Sequence, residues 1–156
     1  RAAACKALGN HGKAAVPHLA AVAKCLSDKE IGCGATDDDV GRYVRAVACE
    51  ALGKHGEAAV QHLRAVAGCL ADDEGEVRAA ACEALGKHGE AAVPHLGSVA
   101  GRLSDDNRDV RKAACIALGN HGEAAKPHLG AVAGCLSDDD SDVRAAACDT
   151  LGKHGE

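Results

Sequence analysis

The sequence contains almost no aromatic side chains. Of its 156 residues, Tyr43 is the only aromatic one, and Phe, Trp and Met are absent. The formal net charge is −5. Proteins that bind nucleic acid generally present a basic surface, often with aromatic rings on which bases stack. The composition therefore argues against a nucleic-acid partner, and the acidic balance argues against an anionic membrane surface.

The sequence also lacks a long apolar run. No stretch approaches the ~20 residues that a membrane-spanning helix needs, and no signal-peptide pattern opens the chain. We therefore expect no direct membrane insertion. The chain begins inside a helical motif and ends at Glu156, where a further helix should begin. This pattern predicts an excerpt of a longer repeat array.

Similar segments recur along the chain. Leu52, Leu85, Leu118 and Leu151 are spaced 33 residues apart, whereas Leu8 precedes Leu52 by 44, so the first junction carries 11 extra residues. The predicted repeats are about 1–26, 37–70, 73–103, 106–136 and 139–156, with an insertion at about 27–43. The whole chain, 1–156, is therefore predicted to be one array.

The spacing of apolar residues in each repeat predicts two α-helices of about 12 residues joined by a glycine turn. In the third repeat the apolar stripes are Val77, Ala80, Ala81, Ala84 and Leu85 on the first helix, and Val93, Leu96, Val99, Ala100 and Leu103 on the second. Gly89 is a typical left-handed helix stop between them. A hairpin of this size cannot bury its own stripes, so the repeats must stack.

Two finer predictions concern helix ends and glycines. Asp73 followed by Glu76 resembles a capping box, and the pairs Asp106/Asp109 and Asp139/Asp142 repeat it.

Glycines inside the second helix of several repeats predict close backbone approach there, since each costs ~1 kcal/mol relative to alanine. They are Gly68, Gly97, Gly101, Gly130 and Gly134. The alternative is that these glycines have no packing role and are merely tolerated in helices that are not optimised for stability.

The motif Asp-x-x-Asp-Val-Arg-x-Ala-Ala-x-x-Ala-Leu-Gly, at 106–119, is followed by a short glycine turn and an Ala-x-Pro-x-Leu segment. It resembles the HEAT repeat of the phycobilisome-lyase type. The resemblance implies an all-α superhelical solenoid of about four and a half helical hairpins. It also implies that the arginine after Val pairs with an aspartate between repeats, forming a structural ladder of Arg45, Arg78, Arg111 and Arg144.

Nine cysteines invite a disulfide or metal interpretation. The first-helix cysteines lie one repeat apart, and packed helix axes are ~8–10 Å apart, too far for a disulfide. There is no Cys-x-x-Cys pair of the kind that zinc sites use. We therefore interpret the cysteines as free thiols in the core, which predicts an intracellular, reducing compartment such as the cytoplasm or a plastid.

The histidines occur in pairs seven residues apart. The pairs are His11/His18, His55/His62, His88/His95 and His121/His128. We interpret them as structural residues capping the turn, with a shared metal or a pH-sensitive seam as the alternative. No catalytic, cofactor-binding or metal-binding residue is predicted.

The insertion is the segment that does not repeat, and per-repeat insertions often carry function. Ile31, Cys33 and Tyr43 are its candidate partner-binding residues, and a neutral surface loop is the alternative. The predicted function is a non-catalytic scaffold or adaptor that binds other proteins. The alternatives are a structural linker subunit of a large assembly and, as the resemblance implies, a bilin-lyase-like enzyme.

Overall fold

The computed structural model describes residues 1–27 and 38–154. Throughout these two ranges the chain alternates between helices and short turns, and it forms no strand there. None of the helices in the described ranges is long and apolar enough to cross a membrane. The all-α architecture expected from the repeat pattern is confirmed.

Successive helices form stacked hairpins. In chain order they are α1 (Ala2–Asn10) and α2 (Leu19–Lys24), α3 (Asp38–Gly53) and α4 (Leu63–Gly68), α5 (Gly75–Leu85) and α6 (Leu96–Ala100), α7 (Arg108–Gly119) and α8 (Leu129–Gly134), and α9 (Ser141–Lys153). The odd-numbered helices, here called A helices, pack side by side along the array. The even-numbered helices pack on the A helix of the following repeat.

The A helices are built as predicted. All five residues of the predicted stripe on α5 are buried, with Val77, Ala81 and Leu85 fully inaccessible. The same spacing buries Val110, Ala114 and Leu118 on α7. Every third or fourth position of an A helix thus faces the shared core, as an amphipathic helix requires.

The second half of each repeat differs from the prediction of one 12-residue α-helix. Each even-numbered helix has only five or six residues and is flanked by 3₁₀ segments. These are Gly12–His18 and Cys25–Ser27, Gly56–His62 and Cys69–Ala71, Gly89–His95 and Gly101–Ser104, and Gly122–His128 and Cys135–Ser137. We call each such unit a B segment. The segment Gly56–His62 keeps 3₁₀ geometry although Gln61 stands where the other repeats have proline, so proline is tolerated there but is not required.

The tighter winding changes which residues face the core. Ala92 is fully buried, whereas Val93, predicted to lie on the buried stripe, is 39% exposed. Leu96, Val99 and Leu103 are buried as predicted. The position of Val93 is occupied by Lys126 in the next repeat, a sequence signal that it faces solvent.

Close backbone approach occurs in the A helices, so its prediction for the B segments was wrong. A Cβ added to Gly53 would lie 2.9 Å from the Cα of Ala84, and one added to Gly86 would lie 2.9 Å from the Cα of Ala117. By contrast, a Cβ at Gly97 would have no neighbour within 4 Å, and the same holds for Gly68, Gly101, Gly130 and Gly134. The helix-end glycines are therefore the ones that packing requires.

The helix caps lie one residue later than predicted. The side chain of Asn107 accepts hydrogen bonds from the backbone N–H groups of Asp109 and Val110, and Asp140 does the same at the start of α9. Glu74 occupies the N-cap of α5 without a side-chain bond. The left-handed turn predicted at Gly89 is confirmed, with φ of +48°.

Removing a buried leucine tests the stacking. Leu85→Ala should reduce the free energy of unfolding by ~2–5 kcal/mol because it leaves a cavity in the core. The control is Val93→Ala in the same repeat, which should change it by less than ~0.5 kcal/mol because this side chain is half exposed. Chemical denaturation followed by circular dichroism measures both. Equal costs would contradict the assignment of the core face.

A pair of glycine substitutions tests the close contact. Gly86→Ala should destabilise the protein by ~1–3 kcal/mol, because the added methyl group meets the backbone of α7. Gly97→Ala should instead stabilise it by up to ~1 kcal/mol, since the site is open and alanine favours helix. The midpoints of thermal unfolding should therefore move in opposite directions. A stabilising Gly86→Ala would show that the A helices do not approach closely.

Candidate protein-binding surface

The arginines predicted to form a ladder lie between successive repeats. The guanidinium of Arg45 meets the carboxylate of Asp72 at 2.8 Å, that of Arg78 meets Asp105 at 2.7 Å, and that of Arg111 meets Asp138 at 2.8 Å. Arg45, Arg78 and Asp105 are at least nine-tenths buried. Each arginine thus joins an A helix to the end of the same repeat's B segment.

Further hydrogen bonds complete the ladder. Arg78 donates to the backbone carbonyls of Asp72 and Asp73, at 3.0 and 2.9 Å, and also binds Asp106. Arg144 donates to the carbonyls of Asp138 and Asp139. These bonds satisfy buried polar groups that would otherwise be costly to desolvate. These contacts indicate that the arginines have a structural role.

The ladder determines the charge state of its carboxylates. Burial alone would raise the pKa of Asp105, but hydrogen bonds from Arg78 and from the backbone N–H of Asn107 outweigh it and lower the pKa to about 2. The hydrogen bond from Arg111 holds the pKa of Asp138 well below its usual range. Both carboxylates therefore stay ionised and paired at neutral pH.

The histidines at the glycine turns join neighbouring A helices. Nε2 of His55 lies 2.9 Å from the carbonyl oxygen of Leu8, while His88 reaches Leu52 and His121 reaches Leu85, both at 3.2 Å. Each ring thus binds the last turn of the preceding A helix, at a carbonyl that also accepts a hydrogen bond from the backbone N–H of the turn histidine in its own repeat. Burial lowers the pKa of His88 and His121. In the described ranges, no three His, Cys, Asp or Glu side chains converge as metal ligands would.

The cysteines form contacts that the comparison along the A helices missed. Cys69 contributes to the raised pKa of Cys49 in the same hairpin, and Cys135 contributes to that of Cys115, so the two thiols of each pair lie near each other. The constant spacing of 20 residues was the available signal. Burial raises the pKa of Cys82 to about 12, and burial is also the main cause of the rise to about 12 at Cys115. These two thiols therefore stay protonated and unreactive at neutral pH.

The residues proposed from the insertion are only partly covered by the structure. Ile31 and Cys33 lie outside the described residues. Tyr43, expected in the insertion, belongs to α3 and is 49% exposed. Its neighbour Arg42 lies 3.7 Å from Glu76 on α5, across the junction between two A helices. Tyr43 is thus a surface residue of the array itself.

Two clefts lie along the edge formed by the glycine turns. The first, about 820 Å³, is lined by Gly56, Glu57, Ala58, Val60, Gln61, Lys87, His88, Glu90 and Ala91. The second, about 500 Å³, is lined by Gly89, Glu90, Val93, Asn120, His121, Glu123 and Ala124. They occupy equivalent places at successive repeat junctions, and Glu90 lines both. We call this pair of clefts the turn-edge groove.

The turn-edge groove exposes apolar side chains at equivalent positions. Val60 and Val93 are both 39% exposed, and Val16 at the corresponding position of the first repeat is 41% exposed. An isolated exposed valine is ordinary, but a row of them along clefts marks a surface suited to contact with another molecule. This surface is not evident from the sequence, because the helical period of 3.6 residues places Val93 on the buried stripe.

Comparison with known proteins identifies one family whose model matches the chain. A model described as HEAT repeats matches residues 34–102 and 98–156. No curated protein sequence matches the chain.

Several solved structures share the fold. A crystal structure of an engineered protein superposes with a TM-score of 0.72 at 16% identity, covering 97% of this chain and 70% of that one. A designed armadillo repeat protein in complex with the peptide (KR)4 gives 0.71 at 17% identity, covering 96% and 72%. The complex of CpcE and CpcF of phycocyanin lyase from Nostoc sp. PCC7120 gives 0.66 at 21% identity, covering 96% and 88%. At these identities the likeness concerns the fold.

Breaking the ladder should be costly. Arg78→Met should reduce the free energy of unfolding by ~3–5 kcal/mol, because it leaves the buried carboxylate of Asp105 without its partner. The matched control is Arg108→Met. The Arg108 side chain is 69% exposed and pairs with Asp140 at the surface, so its loss should cost at most ~1 kcal/mol. Similar small losses in both variants, measured by urea denaturation, would contradict a structural ladder.

The same ladder predicts a dependence of stability on pH. The pKa of Asp105 is lower in the folded chain, about 2, than its ordinary value of 3.8. Its contribution is therefore complete above pH ~4 and is lost as the pH falls through about 2. The stability of the wild type should decline over this window more steeply than that of Arg78→Met. Parallel curves would show that Arg78 does not depress the pKa.

Proposed function

This chain belongs to the HEAT-repeat family, and we propose that it is a non-catalytic scaffold that binds other proteins. The observation that carries the proposal is the turn-edge groove, where Val60 and Val93 stand exposed at equivalent positions of neighbouring repeats. Repeat solenoids commonly offer extended surfaces of this kind to protein partners.

The roles of the polar interior support a scaffold over an enzyme. The buried arginines bind carboxylates and carbonyls between repeats. The turn histidines bind backbone carbonyls, and burial keeps the thiols of Cys82 and Cys115 protonated. The arginines and histidines are thus occupied in holding repeats together, which supports a structural role for them.

Two matched variants test the proposal. Val60→Lys/Val93→Lys places two positive charges in the groove, while Ala65→Lys/Ser98→Lys places two positive charges at exposed, equivalent positions of α4 and α6. Each tagged protein is used to capture partners from an extract of the cells that produce it. Bound proteins are then quantified by mass spectrometry. We expect discrete proteins, near one-to-one with the bait, on the wild type and on the Ala65/Ser98 control, and their loss from the groove variant.

Other outcomes would favour the alternatives. Recovery of the bait only within one large assembly would favour a structural linker subunit. Covalent transfer of a bilin to an acceptor protein would favour a lyase-like enzyme. Capture unaffected by the groove variant would place the partner on another surface and contradict the role given to Val60 and Val93.

A further inference from the structure

The two clefts of the turn-edge groove form one track that crosses successive repeats. Glu90 lines the cleft between the second and third repeats and also the cleft between the third and fourth. The walls of both are the 3₁₀ segments that follow the left-handed turns at Gly56, Gly89 and Gly122. A ligand lying in the track would therefore meet the same wall once per repeat.

The track carries mainly negative charge. Glu57 and Glu90 line the first cleft, together with Lys87. Glu90 and Glu123 line the second cleft, where Asn120 replaces the lysine. Glu123 also meets Lys126 at 2.8 Å, in an exposed pair whose net energy is small. Three carboxylates against one lining lysine make the track complementary to a cationic ligand.

The track also offers contacts for an extended backbone. Val60 and Val93 give each cleft an apolar wall, and Gln61 and Asn120 give each a side-chain amide. An extended peptide leaves its backbone N–H and C=O groups free, so amides can bind them while the valines pack on its apolar side chains.

The repeat spacing selects one backbone conformation. Packed helices lie ~8–10 Å apart, and the glycine contacts between A helices keep this array within such a spacing. A polyproline II helix has three residues per turn and a rise of ~3.1 Å per residue, hence ~9.3 Å per turn. Its every third side chain therefore recurs at about the spacing of packed helices.

We propose that the turn-edge groove binds a polyproline II-type peptide segment that carries an arginine or lysine at every third residue. Each cation pairs with a carboxylate of the Glu57, Glu90 and Glu123 row, and the residues between them pack against Val60 and Val93. Arginine suits the site best because its guanidinium binds a carboxylate through two hydrogen bonds. This inference rests on the proposed scaffold function and names the kind of partner it serves.

Synthetic peptides test the register. The probe is a fluorescein-labelled (Arg-Pro-Pro)4 peptide, and its binding to the wild-type chain is measured by fluorescence anisotropy at low salt. One control peptide has the same composition with its four arginines consecutive, and the other is (Glu-Pro-Pro)4. We expect the probe to bind about tenfold tighter than the clustered peptide, and the acidic peptide not to bind. Equal affinity for the two basic peptides would overturn the register, and preference for the acidic one would overturn the charge assignment.

Matched protein variants locate the site. Glu57→Gln/Glu90→Gln/Glu123→Gln should weaken probe binding about tenfold, through loss of three exposed ion pairs. The control, Glu50→Gln/Glu83→Gln/Asp149→Asn, removes three exposed carboxylates from the A helices and should leave binding unchanged. Equal weakening by both triples would show attraction by net charge alone and overturn the site.

The peptide-binding experiment and the capture experiment test the two proposals separately. If no peptide binds, the polyproline II inference is wrong. The scaffold proposal would still stand if Val60→Lys/Val93→Lys releases the captured protein. If a captured protein is released by the groove variant and (Arg-Pro-Pro)4 competes with it, both inferences are supported.

Discussion

The close contact between successive A helices is the constraint on which the rest of the structure depends. Gly53 and Gly86 lie against the backbone of the next A helix at Ala84 and Ala117, with no room for a side chain. Such an approach needs small residues on both sides, which explains a core of alanine, valine, leucine and cysteine without Phe, Trp or Met. Because each hairpin buries its stripe against a neighbour, stability belongs to the junctions between repeats.

Polar contacts hold each junction at both ends of the A helices. At one end Arg78 binds Asp105, which follows the B segment and leads to the next A helix. At the other end His88 binds the carbonyl of Leu52 in the preceding repeat. With apolar packing between them, these contacts fix the angle between repeats. The turn-edge groove lies beside the histidine contacts, so a ligand of the proposed kind would bind without the entropic cost of ordering the wall.

The sequence predicted the features that arise from periodicity, and it failed where local winding decides. The 33-residue step and the Val77–Leu85 stripe were sufficient for the hairpins and the A-helix core. The segment after Gly89 is wound as a 3₁₀ helix, so the α-helical period of 3.6 residues predicts the wrong buried face there. In the structure Ala92 faces inward and Val93 faces outward. Lys126 at the equivalent position was the one available signal. The glycines were misplaced for a related reason: sequence shows their cost in a helix, while only packing shows which of them meets a neighbour.

The small sequence differences between repeats matter most at positions where the fold does not require the same residue in every repeat. Gly86 and Gly53 are fixed by contact, and Arg78 and Arg111 are fixed by their buried carboxylates, so the junctions must stay alike. Groove positions carry no such requirement: Lys87 is replaced by Asn120, and Val93 by Lys126. A uniform array would bind a periodic peptide equally well in every shifted register, because each shift by one repeat restores the same contacts. For a peptide of the proposed kind, the substitutions at these positions would remove that degeneracy, so that differences among groove side chains would select the register while the similar junctions keep the spacing constant.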